Sequence, residues 1–181
     1  LEGVEVAAWI SAPSRLTVLS PDGEAHVGWR DEAGLRRFSY EPLSGDPLLL
    51  APIREDLEEL GSLDGAGYAA EQDWFELTAL HDFPDPLRRL VDSLDGTYVG
   101  QPATVIYSLD PGYAMGLWSA QVGVRLLGGH LEGTHGGLDR DSSLGFYLTN
   151  VPEPPRGPAV PADRTLLPLL PWAPLQPAVE D

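Results

Sequence analysis

Over its first forty residues the chain alternates apolar and polar positions with the period of two that marks half-buried strands. Val4, Val6 and Ala8 fall on one side of a short extended run, and residues 16–19 and 25–29 form two more. The last two are joined by Ser20-Pro21-Asp22-Gly23, a tight-turn signal in which Pro presets the first turn position and Gly takes positive φ. After Asp31-Glu32-Ala33-Gly34 comes a fourth run, residues 35–40. The pattern predicts a small antiparallel sheet.

Gly45-Asp46-Pro47 breaks the alternation, and Ile53, Leu57 and Leu60 then recur at helical spacing until a Gly-rich loop over 61–67. Asp73 and Glu76 read as a capping box ahead of Leu77 and Leu80. Asp85 reads as the cap of another helix, with Pro86 at its first position, where the missing N–H costs nothing. Leu87, Leu90, Val91 and Leu94 make one apolar stripe, and Gly96 stops it. The run Ala103-Thr104-Val105-Ile106-Tyr107-Ser108-Leu109 predicts a buried central strand, and residues 144–149 predict another. A helix followed by a continuous apolar strand is how an α/β layer reads.

The predicted fold is therefore mixed α/β, or α+β. Antiparallel hairpins over 1–50 form a cap or insertion-like segment, helix–strand units occupy 51–151, and a tail covers 152–181. Nine of the eighteen prolines lie between 152 and 177, so that tail cannot hold regular structure for long. A helical turn is possible over 163–167, and five leucines between Leu166 and Leu175 predict a tail packed on the domain.

Charge narrows the functional classes. The net charge is −17, all eleven cations are Arg, and Arg36–Arg37 and Arg88–Arg89 are the only basic pairs. Such a chain repels polyanions, so nucleic acid is not an expected partner. Without cysteine there is no thiol nucleophile or thiolate metal site. No apolar run of about 18 residues is present, which argues against a spanning helix. Nor does the start show a signal-peptide pattern, which favours a cytoplasmic location. The chain opens at Leu1 inside a strand-like pattern, as expected either where a tag or leader was removed or for a piece of a longer protein.

Candidate chemistry concentrates in Gly128-Gly129-His130-Leu131-Glu132-Gly133-Thr134-His135-Gly136-Gly137, where five of ten residues are Gly. Only an irregular loop brings histidines five apart to one point, and glycine permits such a backbone. On one reading His135, with His130 as a second candidate, binds a divalent metal through neutral imidazole. On the other, this is a surface loop whose histidines face water. Asp139-Arg140-Asp141-Ser142-Ser143 resembles the start of a calcium loop. It fails, because Leu144 stands where Gly is required and Asn150 where a bidentate Glu belongs. His26 and His81 read as ordinary surface or packing residues.

The stretch Gly133-Thr134-His135-Gly136-Gly137-Leu138, followed by Ser142-Ser143-Leu144-Gly145-Phe146-Tyr147-Leu148, resembles the closing motif of alkaline phosphatase superfamily enzymes. The nucleotide pyrophosphatase and phosphodiesterase branch is nearest. The resemblance covers about a quarter of the chain and implies that His135 is the last metal ligand of a phosphohydrolase. It also implies two divalent ions, usually zinc, and a phosphate-ester or nucleotide substrate. The family's Thr or Ser nucleophile segment and its Asp-His-Gly segment have no counterpart here. The expectation is thus the C-terminal part of an alkaline-phosphatase-like sheet, inactive as it stands, with the remaining ligands supplied upstream. The alternative is a non-catalytic, acidic protein-interaction module.

Overall fold

A computed structural model describes residues 3–96, 100–110 and 137–143, all within a first compact unit, Leu1–Leu144. Strands β1 (Val4–Ala12), β2 (Arg15–Ser20), β3 (Gly23–Glu32) and β4 (Leu35–Gly45) run as consecutive antiparallel hairpins. Helix α1 spans Ala51–Glu59, β5 is the pair Ala69–Ala70, and α2 (Glu71–Thr78) and α3 (Pro86–Leu94) follow. Strand β6 (Ile106–Leu109) and a short helix α4 (Arg140–Ser143) complete the described elements. The strand order is β5-β4-β3-β2-β1-β6, so strands from both sides of residue 50 share one sheet. The architecture is α+β.

Alternation decides which face of the sheet is covered. Val6, Ala8, Leu16, Val18, Ala25, Val27, Phe38 and Tyr40 are buried on one face, which meets Leu57, Trp74, Leu87, Leu90, Val91 and Leu94 in a single core. The opposite face carries His26, Ser39 and Glu41 at the intervening positions. Neighbouring Arg36 and Arg37 consequently part company. Arg36 ties β4 to α3 through Asp92 and Asp95, each at 2.9 Å, while Arg37 donates to the Tyr68 carbonyl at 2.9 Å.

The predicted hairpins are present, and the Ala33–Gly34 turn has positive φ at both residues. Where β3 begins and β4 ends, Gly23 pairs with Gly45. A Cβ on Gly23 would run into the Ser44 carbonyl, and one on Gly45 into that of Asp22. Asp46 is more than a break. Its carboxylate accepts from the Leu50 and Ala51 N–H groups at 3.1 and 2.8 Å and from the Tyr40 hydroxyl, so it caps α1 from outside the helix.

Several expectations need correction. The run 103–109 is not the buried strand that its composition predicts. Only 106–109 is extended, antiparallel to β1 at the edge of the described sheet, and Val105 and Tyr107 are exposed. Apolar β-branched residues suit an edge and a centre alike, so composition does not separate the two. Asp73 is no cap either: α2 begins at Glu71, and Glu76 bonds Gln72 at 2.9 Å. Leu60 and Leu80 face solvent, the first being 69% exposed just beyond the end of α1. In α3, Pro86 does lead, the stripe is buried and Gly96 has φ +81°, but the Asp85 side chain caps nothing. Among the described residues no helix is long and apolar enough to cross a membrane. The expected strand at 144–149, the turn at 163–167 and the Pro-rich tail lie outside the described residues.

Candidate functional site

Residues 137–143 follow directly on the Gly/His window, and what holds them can be traced atom by atom. Helix α3 presents its apolar stripe to the core, which leaves Arg88 and Arg89 on its flanks. Arg89 donates to the carbonyls of Pro84 at 3.1 Å, Leu138 at 3.0 Å and Gly137 at 2.8 Å. From the sheet side, Ser108 on β6 accepts from the Leu138 N–H at 2.9 Å and donates to the Glu5 carboxylate at 2.9 Å. The Arg140 N–H donates to the Asp82 carbonyl at 2.8 Å, and the Ser143 hydroxyl turns back onto the carbonyls that open α4. Leu138 is buried in the core. The sequence that resembled a calcium loop is thus a helical turn over Arg140–Ser143.

These residues enclose a cleft of about 210 Å³ between α3, β6 and the 137–138 backbone. Arg89, Ser93, Ser108 and Tyr107 give it polar walls, and Val6, Leu90 and Ile106 an apolar floor. Burial pushes the Glu5 carboxyl above its usual range, against the Ser108 hydroxyl that favours the charged form. Burial likewise lowers the Arg89 guanidinium, with Asp85 and Asp139 opposing the shift. The donors of Arg89 and the hydroxyl of Ser108 are engaged with protein groups. Together these residues position a backbone rather than attack a substrate.

The other flank of α3 is a charged cluster. Arg88 lies 2.7 Å from Asp85, 3.7 Å from Glu71 and 4.0 Å from Asp92. Asp85 occupies left-handed backbone, φ +47°, and is 7% exposed. Burial outweighs the attraction of Arg88 and pushes its carboxyl from 3.8 up to about 6. The folded state therefore holds this proton more tightly than the unfolded chain does. That contribution to stability is fully present below about pH 4 and is lost as pH rises through about 6. Relative to Asp85→Asn, which stays neutral, the wild type should lose about 2–3 kcal/mol between those limits. Parallel urea titrations across that range check it. Stability differences that stay constant with pH would show the carboxyl to be ionised throughout.

The sequence-predicted ligands His135 and His130 lie outside the described residues, as does most of the Gly/His window. His81 is a structural residue. Its Nδ1 accepts from the Phe83 N–H at 3.1 Å, which leaves Nε2 to donate to the Leu49 carbonyl at 3.1 Å. His26 stands on the open face of β3. Among the described residues no three His, Asp or Glu converge as metal ligands would, so these residues do not by themselves fit a divalent ion. Arg89, Ser108 and Glu5 were not legible as a unit, because the contacts that join them and the 137–138 backbone span 30 to 103 positions of chain. The Arg88–Arg89 pair was the one visible trace. No family model, curated protein or solved structure matches the chain.

Proposed function

We propose that this chain is the C-terminal part of a metal-dependent phosphatase or phosphodiesterase of the nucleotide pyrophosphatase type. His135, with His130 as the second candidate, donates to a divalent ion, zinc by preference, and residues beyond this chain supply the nucleophile and the other ligands. The substrate is a phosphate ester or nucleotide. The support is the Gly133-Thr134-His135-Gly136 motif together with the anchoring that follows it. Arg89 grips the Gly137 and Leu138 carbonyls, and Ser108 receives the Leu138 N–H. A loop that must deliver an imidazole to a metal gains precision when its downstream end is tied to a rigid helix and sheet.

The test is His135→Ala in the complete protein that carries this chain. Zinc content and hydrolysis of bis(p-nitrophenyl) phosphate are measured together. Loss of a ligand should lower turnover by more than about 100-fold and reduce bound zinc. Unchanged turnover with unchanged zinc would remove the reading. An acidic interaction module is the second reading, favoured by Val105 just before β6 and Tyr107 within it, both exposed at the edge of the described sheet. In that case the complete protein hydrolyses no phosphodiester and retains no zinc.

A further inference from the structure

The sheet face opposite the core carries a second cleft, distinct from the one beside the Gly/His window, and its groups are set in two adjacent cross-strand rows. Thr17, His26 and Glu41 pair across β2, β3 and β4 in one row, and Arg15, Gly28 and Ser39 in the next. Because alternate residues share a face, Arg15, His26, Ser39 and Glu41 all project from the same side.

Tyr68 closes the cleft from a loop that is held firmly in place. Asp64 accepts from the Ala66 and Tyr68 N–H groups at 2.8 and 3.1 Å and pairs with Arg30. Arg37 donates to the Tyr68 carbonyl, and the Arg30 guanidinium stacks 4.6 Å from the centre of the Tyr68 ring. The Asp64 carboxyl is held below its usual range, first by the Tyr68 N–H, which with the Ala66 N–H and the two arginines outweighs the opposing effect of burial.

Gly28 is buried at the floor. A Cβ there would stand 2.5 Å from Ser39 Oγ and 2.6 Å from the Tyr68 hydroxyl, so the missing side chain is what lets both hydroxyls meet over the backbone. The resulting cleft holds about 420 Å³, within the range of small-molecule sites.

Its polar groups are unspent. Arg30, Arg36, Arg37 and Arg88 all pair with carboxylates, yet Arg15 forms no ion pair with a described residue. The ring of His26, the carboxylate of Glu41 and the hydroxyls of Ser39 and Tyr68 likewise make no hydrogen bond to a described residue.

We propose that this cleft binds a small hydroxylated anion: its phosphate or carboxylate meets Arg15 and His26, and its hydroxyls meet Glu41, Ser39 and Tyr68. Arg15 supplies the forked donor geometry that suits either acid. Glu41 accepts from a ligand hydroxyl and repels a second acidic group, which selects a ligand with one acidic head and a polar tail over one with several acidic groups.

The experiment is an amide NMR titration of the isotopically labelled full chain. Glycerol 3-phosphate and glycerate are the two anionic probes, and glycerol is the neutral control. Saturable shifts at Ser14, Arg15 and Gly28 are expected with one or both anions and not with glycerol, and the arm that responds identifies the acid. Arg15→Ala, a change at an exposed strand end, should weaken binding at least about 10-fold with an unchanged spectrum elsewhere. Ser39→Ala should weaken it less. The proposal is overturned if neither anion gives saturable shifts at these amides, if glycerol does as well as the anions, or if Arg15→Ala binds as the wild type does.

Discussion

Trp74→Ala should destabilise the sheet-and-helix unit by about 3–5 kcal/mol, the cost of emptying a large buried aromatic site. The indole is 1% exposed, where α2 meets the sheet, and its Nε1 donates to the Phe38 carbonyl at 3.0 Å. That carbonyl lies on β4, whose described neighbour on the side away from β3 is the two-residue β5, so the indole acts as an additional link at this end of the sheet. Chain packing on both sides resists collapse into the hole. Urea denaturation followed by circular dichroism measures the loss. Trp74→Phe separates its parts, since it keeps most of the apolar volume and gives up the hydrogen bond, for a loss nearer about 1–2 kcal/mol. A change under about 1 kcal/mol for the alanine variant would mean that the indole is not the packing centre of α2.

Arg89→Ala is expected to release residues 137–143 locally, at a cost of about 2–4 kcal/mol. Three carbonyls lose a charged donor at once, and two of them, Gly137 and Leu138, belong to the segment that follows the Gly/His window. Helix α3 itself should survive, because its stability comes from Leu87, Leu90, Val91 and Leu94 on the other side. Hydrogen exchange is the decisive readout. The Leu138 amide, bonded to Ser108, should exchange about 30- to 1,000-fold faster, while the amides of β2 and β3 keep their protection. Arg89→Lys should recover less than half of the effect, since a point charge does not replace a fork that reaches three carbonyls. Unaltered exchange at Leu138 would show that Ser108, the Arg140–Asp82 bond and the burial of Leu138 hold the segment without Arg89.

Legibility in the sequence followed the range of the interactions. The hairpins were readable because alternation and turn chemistry are local, as at Pro21-Asp22-Gly23 and Ala33-Gly34. Helix α3 was readable for the same reason, through Pro86, its four-residue stripe and Gly96. Local signals misled where a motif had no tertiary partner to complete it. Asp73 stands within α2 rather than before it, and Asp85 spends its carboxylate on Arg88 instead of the helix. The cap of α1 comes instead from Asp46, whose reach to Leu50 and Ala51 depends on the bend that follows β4.

The candidate sites divide in the same way. The Gly/His window stands out in composition alone, and its resemblance to a metallohydrolase motif is a property of contiguous residues. Arg15, His26, Gly28, Ser39 and Glu41 share a cleft only because strand register sets β2, β3 and β4 side by side. Tyr68 joins them through the Asp64 loop.

By itself, then, the sequence determined the period-two strands, the amphipathic third helix, the acidic character and the one window rich in glycine and histidine. These depend on residues within a turn or two of each other, where geometry repeats from protein to protein. Only the tertiary structure decided that β6 lies at the edge of the described sheet, that Arg89 clamps the segment behind the Gly/His window, and that the sheet face opposite the core gathers Arg15, His26, Ser39 and Glu41. Each of those depends on which distant backbones come within hydrogen-bonding distance, and that is settled by burying one face of the sheet beneath the helices.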